Sequence, residues 1–249
     1  IDFCYRNLKN IYFNPKISDI IEQAGKTAII DDIPFFSWQF HVLTFEQRIA
    51  KRIMDIIISL IVLIITSPVF LVSAVLIKKY DGGKVFFKQK RATVNGKVFE
   101  IYKFRTMKEN VENKSTFVGD DRITPIGKKL RKYRIDELPQ LVNIIKGDMS
   151  LVGPRPEMLE NVDEYTKNLP EFVYRLRMKA GLTGYAQIIG KYNTSSRDKL
   201  MLDLLYIENY SLLKDIQLLF RTVLVIFKAE DSTQAFAGST KNNGTENNG

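Results

Sequence analysis

Residues 53–77 read IMDIIISLIVLIITSPVFLVSAVLI, an apolar run whose only charge is Asp55. A straight helix of about 22 residues at 1.5 Å each is roughly 33 Å long, enough to cross the hydrocarbon core of a bilayer. Two features argue against a plain crossing. Ser67 and Pro68 fall near the middle, where proline removes a backbone donor and kinks or breaks a helix. Basic residues flank both ends, with Arg48, Lys51 and Arg52 before the run and Lys78, Lys79 and Lys84 after it. Positive flanks favour the cytoplasmic side, so both ends are drawn to one face of the membrane. A helix that goes in, breaks at Ser67-Pro68 and returns satisfies both flanks, whereas a single span satisfies one. A serine hydroxyl beside the proline can re-satisfy the freed backbone. The re-entrant helix is the leading reading, with a simple span and the buried core helix of a soluble protein as the alternatives.

At 249 residues the chain holds one good-sized domain plus appendages, or two small domains. It begins with Ile rather than Met, which reads as a trimming point or as part of a longer product. The first residues lack the continuous apolar core of a secretory signal. The net charge of +9, from 37 Lys+Arg against 28 Asp+Glu, asks for an anionic partner: nucleic acid, anionic lipid or a phosphorylated metabolite. A single cysteine, Cys4, excludes an internal disulfide framework and a multi-cysteine metal site. With His41 the sole histidine, a histidine-based zinc site or triad is disfavoured. The chemistry falls to carboxylates, lysines and arginines.

Before the apolar run, ISDIIEQAGKTAII reads as a short helix and a strand, and DDIPFFSWQF as a proline-broken connector. Its aromatics, Phe35, Phe36, Trp38 and Phe40, suit a membrane interface or ordinary packing equally. After the run, KVFFKQKRATVNGKVFEIYKFRTM predicts two strands around an Asn95-Gly96 turn. Alternation puts Phe99, Ile101, Lys103 and Arg105 on one face, making Lys103 and Arg105 a two-cation pair. Thr124 before Pro125 predicts an N-cap with proline in the first turn, followed by Ile126, Leu130 and Tyr133 at helical spacing. The next helix is expected to begin near Asp136, with Leu138, Leu141, Val142 and Ile145 as its apolar stripe and Gly147 as its stop. SLVGPRPE is a rigid loop that holds Arg155 between Pro154 and Pro156. A largely apolar helical region runs from about Asp198 to Lys228, interrupted near Asn209-Tyr210-Ser211. The small, polar residues 231–249 read as a disordered tail.

RIDELPQL, residues 134–141, sets Asp136 and Glu137 side by side behind Lys128, Lys129, Arg131, Lys132 and Arg134. The plain structural reading makes Asp136 an N-cap, with Pro139 tolerated in the first turn. That leaves the second acid, the upstream cations and the proline-held Arg155 without an explanation. A helix N-terminus favours negative charge, which would keep Asp136 ionised as a nucleophile while the same field gathers phosphate. Carboxylate attack on phosphorus is a known covalent strategy, and its transition state needs cations around the equatorial oxygens. Hard oxygen donors without His or Cys suit magnesium, which commonly takes one or two carboxylates plus substrate phosphates.

Taken in order, KRIMD, the mid-segment SP, VFFKQKR, NGKVFEIYKFRTM, DDRITPIGKKLRKYRIDELPQLVNIIKGDMSLVGPRPE and AGLTGYAQI make the chain resemble the bacterial sugar transferase family over roughly residues 48–228. These are monotopic polyprenyl-phosphate phosphoglycosyl transferases that begin O-antigen, capsule and exopolysaccharide synthesis. The resemblance implies transfer of a sugar-1-phosphate from a nucleotide sugar, usually a UDP-sugar, to undecaprenyl phosphate, with release of UMP. It implies magnesium, with Asp136 as its carboxylate, and an Asp-Glu dyad on a re-entrant scaffold. Asp136 would be the nucleophile and Glu137 the second dyad member, helping the metal or the incoming lipid phosphate. Arg155, in its Pro154-Pro156 frame, would bind substrate phosphate. Lys103 and Arg131 match basic positions lining the same site, while Arg105 and Arg134 match less closely and also read as structural. Ser67 and Pro68 would be the helix break, and Asp55 would anchor the start of the membrane segment. The chain departs from the family in RATVNGK, which lacks the commoner glycine, and in Tyr185, where tryptophan is frequent; neither touches the dyad.

The expected fold is α+β and helix-dominated, a monotopic membrane protein with a cytosolic catalytic domain that contains a small β-hairpin. Its parts are residues 1–45 as an N-terminal connector, 46–80 as the membrane helix, 81–230 as the transferase domain and 231–249 as the tail. The expected location is the bacterial inner membrane, with the catalytic domain facing the cytoplasm and anionic lipids as neighbours. A homodimer is left open. A membrane-attached scaffold that binds nucleotide sugars without turnover is the competing function. A nucleic-acid binder rests on net charge alone, and no binding motif supports it.

Overall fold

The structure, a computed structural model, describes residues 15–30, 33–37, 43–108, 120–190 and 195–227. Chain contacts separate Ile1–His41 from Val42–Gly249. In the first unit, α1 (Ile17–Gln23) is followed by an antiparallel hairpin of β1 (Lys26–Ile30) and β2 (Ile33–Ser37). The helix and strand expected for ISDIIEQAGKTAII are present. The proline-broken connector is corrected: Pro34 lies within β2, opposite Ile29, in a two-stranded sheet whose strands are both edges and so tolerate a missing donor. Trp38 and Phe40 lie outside the described residues, as does the 231–249 tail.

The second unit begins with α2, a 37-residue helix from Phe45 to Asp81. Thr44 and Gln47 form a reciprocal capping box at its start, and Gly82, at φ 71°, closes it in the left-handed region. The break expected at Ser67-Pro68 does not divide the element, because the helix continues through Pro68. What changes there is the hydrogen bonding. Proline cannot donate to the Ile64 carbonyl, and Ser67 Oγ donates to that carbonyl instead, at 2.8 Å. The segment is not the buried core of this unit, since 11% of its most apolar stretch is buried. It is one helix long and apolar enough to cross a membrane.

Both ends of α2 hold the remainder of the unit. At the start, Lys51 donates to Asp215 at 2.5 Å and to the Val152 carbonyl at 3.0 Å. Asp55 accepts from the Leu151 amide at 3.0 Å, which ties the start of α2 to β5. Arg52 satisfies the Ile144 and Ile145 carbonyls at 2.5 and 2.6 Å. Toward the other end, the Phe70 ring lies 4.7 Å from Phe104 and 5.8 Å from Phe86, and Ile77 is buried with Phe104 and Leu130.

The expected hairpin is β3 (Phe86–Ala92) paired with β4 (Val98–Phe104). Asn95 and Gly96 take positive φ at its turn. Beyond it, α3 (Pro125–Lys132) is capped as expected, with Thr124 Oγ1 accepting from the Gly127 amide at 2.9 Å. The following helix, α4 (Gln140–Lys146), starts later than expected and buries Leu141, Asn143 and Ile144 rather than Ile145. Then come β5 (Ser150–Val152), α5 (Leu159–Asn168), a 3-10 segment over Pro170–Arg177, β6 (Gly181–Thr183), α6 (Tyr185–Ile188), α7 (Ser196–Glu208) and α8 (Leu212–Phe227). The interruption near Asn209-Tyr210-Ser211 separates α7 from α8. β5 runs parallel to β6, and the chain leaving β5 lies so close to the chain entering β6 that a Cβ at Gly153 would sit 2.3 Å from the Lys179 carbonyl. Glycine there lets the Pro-Arg-Pro loop lie against backbone.

Candidate active site

Asn143 carries much of the site's geometry. Buried on α4, it accepts from the Tyr102 amide at 2.9 Å and donates to the Glu100 carbonyl at 2.7 Å. This docks α4, and the turn before it, on β4. That turn is a 3-10 segment, Ile135–Glu137, entered through Arg134 at φ 53°. A non-glycine residue in this region costs on the order of 1–2 kcal/mol. The Glu137 amide bonds the Arg134 carbonyl at 3.2 Å, and the Leu138 amide bonds Ile135 at 3.1 Å. The N-cap expected at Asp136 is therefore corrected: these tight i to i+3 bonds place it inside a 3-10 turn, and α4 is preceded by Pro139, which has no capping side chain.

The two carboxylates have opposite electrostatics. Asp136 is 9% exposed, and burial, followed by the Glu137 charge, pushes its carboxyl up to about 6 against the pull of Lys103 and Arg131. It is still mostly ionised at pH 7. Burial also pushes Glu137 up, but Lys103, Arg155 and Arg134 outweigh it and hold Glu137 down to about 2. Lys103 Nζ donates to Glu137 Oε1 at 3.2 Å, and Arg155 Nη2 donates to the same oxygen at 3.4 Å. One carboxylate, fixed and anionic, thus gathers two cations beside a second carboxylate with a raised proton affinity.

Lys103, Glu137, Arg155 and Pro156 line one cleft, as expected of a shared site. Pro154 lines a second, adjoining depression with Arg155. Arg131 acts on Asp136 through its charge while Nε donates to Thr106 Oγ1 at 2.9 Å. Arg105 pairs instead with Asp81 at the end of α2, which separates the Lys103–Arg105 cation pair read from alternation. Strand pairing ends at Phe104, so Arg105 is released from the face that Lys103 keeps. No cluster of three or more His, Cys, Asp or Glu residues occurs among the described residues. Glu137 is taken by Lys103 and Arg155, whereas no side chain among the described residues hydrogen-bonds the Asp136 carboxylate, which leaves Asp136 to fit magnesium in the mode where substrate phosphates complete the shell.

Residues 46–229 match the sequence pattern of the family described as Bacterial sugar transferase. The chain belongs to this family. Among similar proteins, an Aeromonas hydrophila UDP-N-acetylgalactosamine-undecaprenyl-phosphate N-acetylgalactosaminephosphotransferase is 42% identical over 71% of this chain and 43% of its own length. A Caulobacter vibrioides UDP-glucose:undecaprenyl-phosphate glucose-1-phosphate transferase is 37% identical over 70% of this chain and 68% of its own length. A Bacillus subtilis sugar transferase, EpsL, is 39% identical over 75% of this chain and 91% of its own length. The chain thus spans less than half of the Aeromonas relative and most of the Bacillus one.

In this member of the family, several residues that hold the site escape a reading by motif. Arg175, 2% exposed, donates to the Arg155 carbonyl at 2.8 Å and pairs with Asp203 at 2.7 Å. Glu157 lies 3.8 Å from Arg175 and 3.5 Å from Lys199. Arg91 lines the same cleft as Lys103 and donates to the Pro156 carbonyl at 3.3 Å. Alternation along β3 carries a signal for Arg91: Gln89 and Arg91 turn inward while Lys88 and Lys90 are exposed. Nothing local in the sequence marks Arg175 or Asp203, which meet only through tertiary contact between α7 and the 3-10 segment.

Proposed function

We propose that this chain transfers a sugar-1-phosphate from a UDP-sugar to undecaprenyl phosphate, releasing UMP, as the first membrane step of a surface polysaccharide or glycoconjugate. The observation that carries it is the buried Asp136 carboxylate next to Glu137, which lines a cation-rich cleft and is already committed to Lys103 and Arg155. The names of the Aeromonas and Caulobacter relatives support the same reaction class.

An Asp136 oxygen attacks the phosphorus that bears the sugar. A new P–O bond forms to the aspartate, and the bond from that phosphorus to the bridging oxygen breaks, so UMP departs with that oxygen. A phosphate oxygen of undecaprenyl phosphate then attacks the same phosphorus, the aspartyl P–O bond breaks, and Asp136 is regenerated as carboxylate. Lys103 and Arg155 hold phosphate oxygens in place, and Glu137 keeps both cations aimed at the cleft. Asp136 together with substrate phosphate would hold magnesium, which would supply charge neutralisation. Incubating the purified chain with UDP-sugars and magnesium, then mapping peptides by mass spectrometry, is expected to reveal a phospho-sugar adduct on Asp136. Absence of adduct and of UMP release across a panel of UDP-sugars with polyprenyl phosphate overturns the proposal.

The same reading makes α2 re-entrant, with the catalytic unit on the cytoplasmic face. A straight helix from Lys51 to Ile77 is roughly 39 Å long, yet residues at both ends bind one compact unit while the apolar middle is exposed. The Ser67 hydroxyl relieves the carbonyl that a bend at Pro68 leaves bare. Cysteines placed before Lys51 and after Lys79 are expected to label from the same side of the membrane; labelling from opposite sides overturns the arrangement.

A further inference from the structure

Arg91 stands in the cleft with an incomplete set of partners. Its Nη1 donates to the Pro156 carbonyl at 3.3 Å and its Nη2 to Gln89 Oε1 at 2.5 Å, both neutral acceptors. Its Nε is buried without a partner. No carboxylate among the described residues forms an ion pair with it; Glu157, Glu160 and Glu137 act only at longer range. Burial pulls the guanidinium down to about 10, a cost of desolvation that leaves it charged at neutral pH. A half-buried cation at an open cleft without an ion-pair partner of its own is costly unless an anion arrives to share it.

The charge count of the cleft points the same way. Arg91, Lys103 and Arg155 line it, with Glu137 as the one lining carboxylate among the described residues. Glu137 is already shared by Lys103 and Arg155, so the excess positive charge falls on the Arg91 side. A guanidinium offers five N–H donors in a planar fork that matches a phosphate group. Arg91 also holds the Pro156 carbonyl, so it is fixed to the loop that presents Arg155.

We infer that Arg91 is a further substrate-binding residue whose guanidinium takes a phosphate oxygen of the substrate in the cleft that it lines with Lys103 and Arg155. This rests on the transfer reading above, in which two kinds of phosphate enter the site: the diphosphate of the nucleotide sugar and the monophosphate of the lipid. Direct binding separates the two sources and needs no turnover, so a failure of the transfer reading does not obscure it. The full chain in nanodiscs is titrated with UMP, UDP and a short-chain polyprenyl phosphate, comparing wild type with Arg91→Gln and Arg91→Lys. Thermal melting of each variant is recorded alongside.

The expected result is a loss of about tenfold or more in affinity for at least one of these ligands in Arg91→Gln, with partial recovery in Arg91→Lys and an unshifted melt. A loss for UDP exceeding that for UMP places the contact on the donor phosphate next to the sugar. A loss confined to polyprenyl phosphate places it on the acceptor. Unchanged affinity for all three overturns the inference, as does a loss that only tracks a lowered melting temperature. If Arg91→Gln does not fold, Arg91→Lys decides alone. It keeps the charge and loses the fork, so weaker phosphate binding with a normal melt supports the assignment, and unchanged binding overturns it.

Discussion

Lys103 Nζ and Glu137 Oε1 meet at 3.2 Å, joining β4 to the turn that carries both candidate catalytic carboxylates. Lys103 lowers the proton affinity of Asp136 as well as Glu137. Replacing it with Met removes a cation from both. The acid limb of kcat/KM for UMP release is expected near pH 6 in the wild type, since Asp136 must be ionised to attack. In Lys103→Met that limb moves to higher pH and the plateau falls by at least about tenfold, while Lys103→Arg recovers the position of the limb. A pH profile unchanged in shape contradicts this coupling.

Asp136 is also predicted to lower stability at neutral pH. Its folded-state carboxyl is raised to about 6, whereas an unfolded aspartate titrates near about 3.9. The folded state therefore holds this proton more tightly, and stability from this group declines as pH rises between those values. Asp136→Asn is expected to abolish transfer and yet melt higher than wild type at pH 8, by an amount on the order of 1–3 kcal/mol. The gain shrinks toward pH 4. Glu137, held down to about 2, acts in the opposite direction and contributes stability that is lost only as pH falls toward that value. Melting curves of both proteins at pH 4, 6 and 8 test the sign.

The elements legible in the sequence were those with local causes. Thr124-Pro125 capped its helix, Asn95-Gly96 turned its hairpin, and Gly147 stopped α4 because each acts through its own backbone. Asp136 and Glu137 stood out as paired acids behind cations, but their setting did not follow from spacing. The left-handed Arg134 tightens the chain into a 3-10 turn, and burial rather than a helix terminus sets the Asp136 proton. Arg105 looked equivalent to Lys103 until the end of the strand pairing sent it to Asp81. Residues whose role depends on distant partners, Asn143 and Arg175 above all, carry no signal in their neighbours.

Arg175 positions the Pro-Arg-Pro loop without facing the cleft, through its 2.8 Å bond to the Arg155 carbonyl. Its replacement by Met strands Asp203, which is buried and already pushed up to about 6 by burial. Arg175→Met is expected to raise KM for the nucleotide sugar severalfold more than it lowers kcat, because Arg155 is displaced rather than removed. Asp203→Asn keeps the loop bond and is expected to leave KM nearly unchanged. Equal effects of the two variants on KM argue against a positioning role and for a general loss of packing.

The Lys51–Asp215 pair ties the first turns of α2 to α8 with both side chains buried, 6% and 0% exposed. Lys51 also reaches the Val152 carbonyl just before the Pro-Arg-Pro loop. Removing one partner leaves a buried charge unpaired, a change of roughly 3–5 kcal/mol. Lys51→Met alone is expected to lower the melting temperature sharply and reduce the yield of folded protein in membranes. The double variant Lys51→Met, Asp215→Leu removes both charges and is expected to recover most of that loss, as denaturation in detergent can establish.

Ser67 decides how α2 tolerates Pro68. Its hydroxyl is the donor that reaches the Ile64 carbonyl, at 2.8 Å, in the middle of an exposed apolar stretch. In lipid no water replaces it, so Ser67→Ala leaves that carbonyl bare at a cost of about 1–3 kcal/mol. Lower stability in nanodiscs is the expected outcome. Adding Pro68→Ala restores an amide that can bond Ile64, so the double variant regains stability by letting the helix run straight. Cysteine probes at Thr44 and Lys84 then report the geometry. They are expected to label from one side in the wild type and from opposite sides in the double variant, with transfer activity lost because both ends of α2 can no longer hold the catalytic unit. Same-side labelling in a stable double variant shows that contacts at the two ends of α2, rather than the Ser67-Pro68 pair, set the proposed re-entrant arrangement.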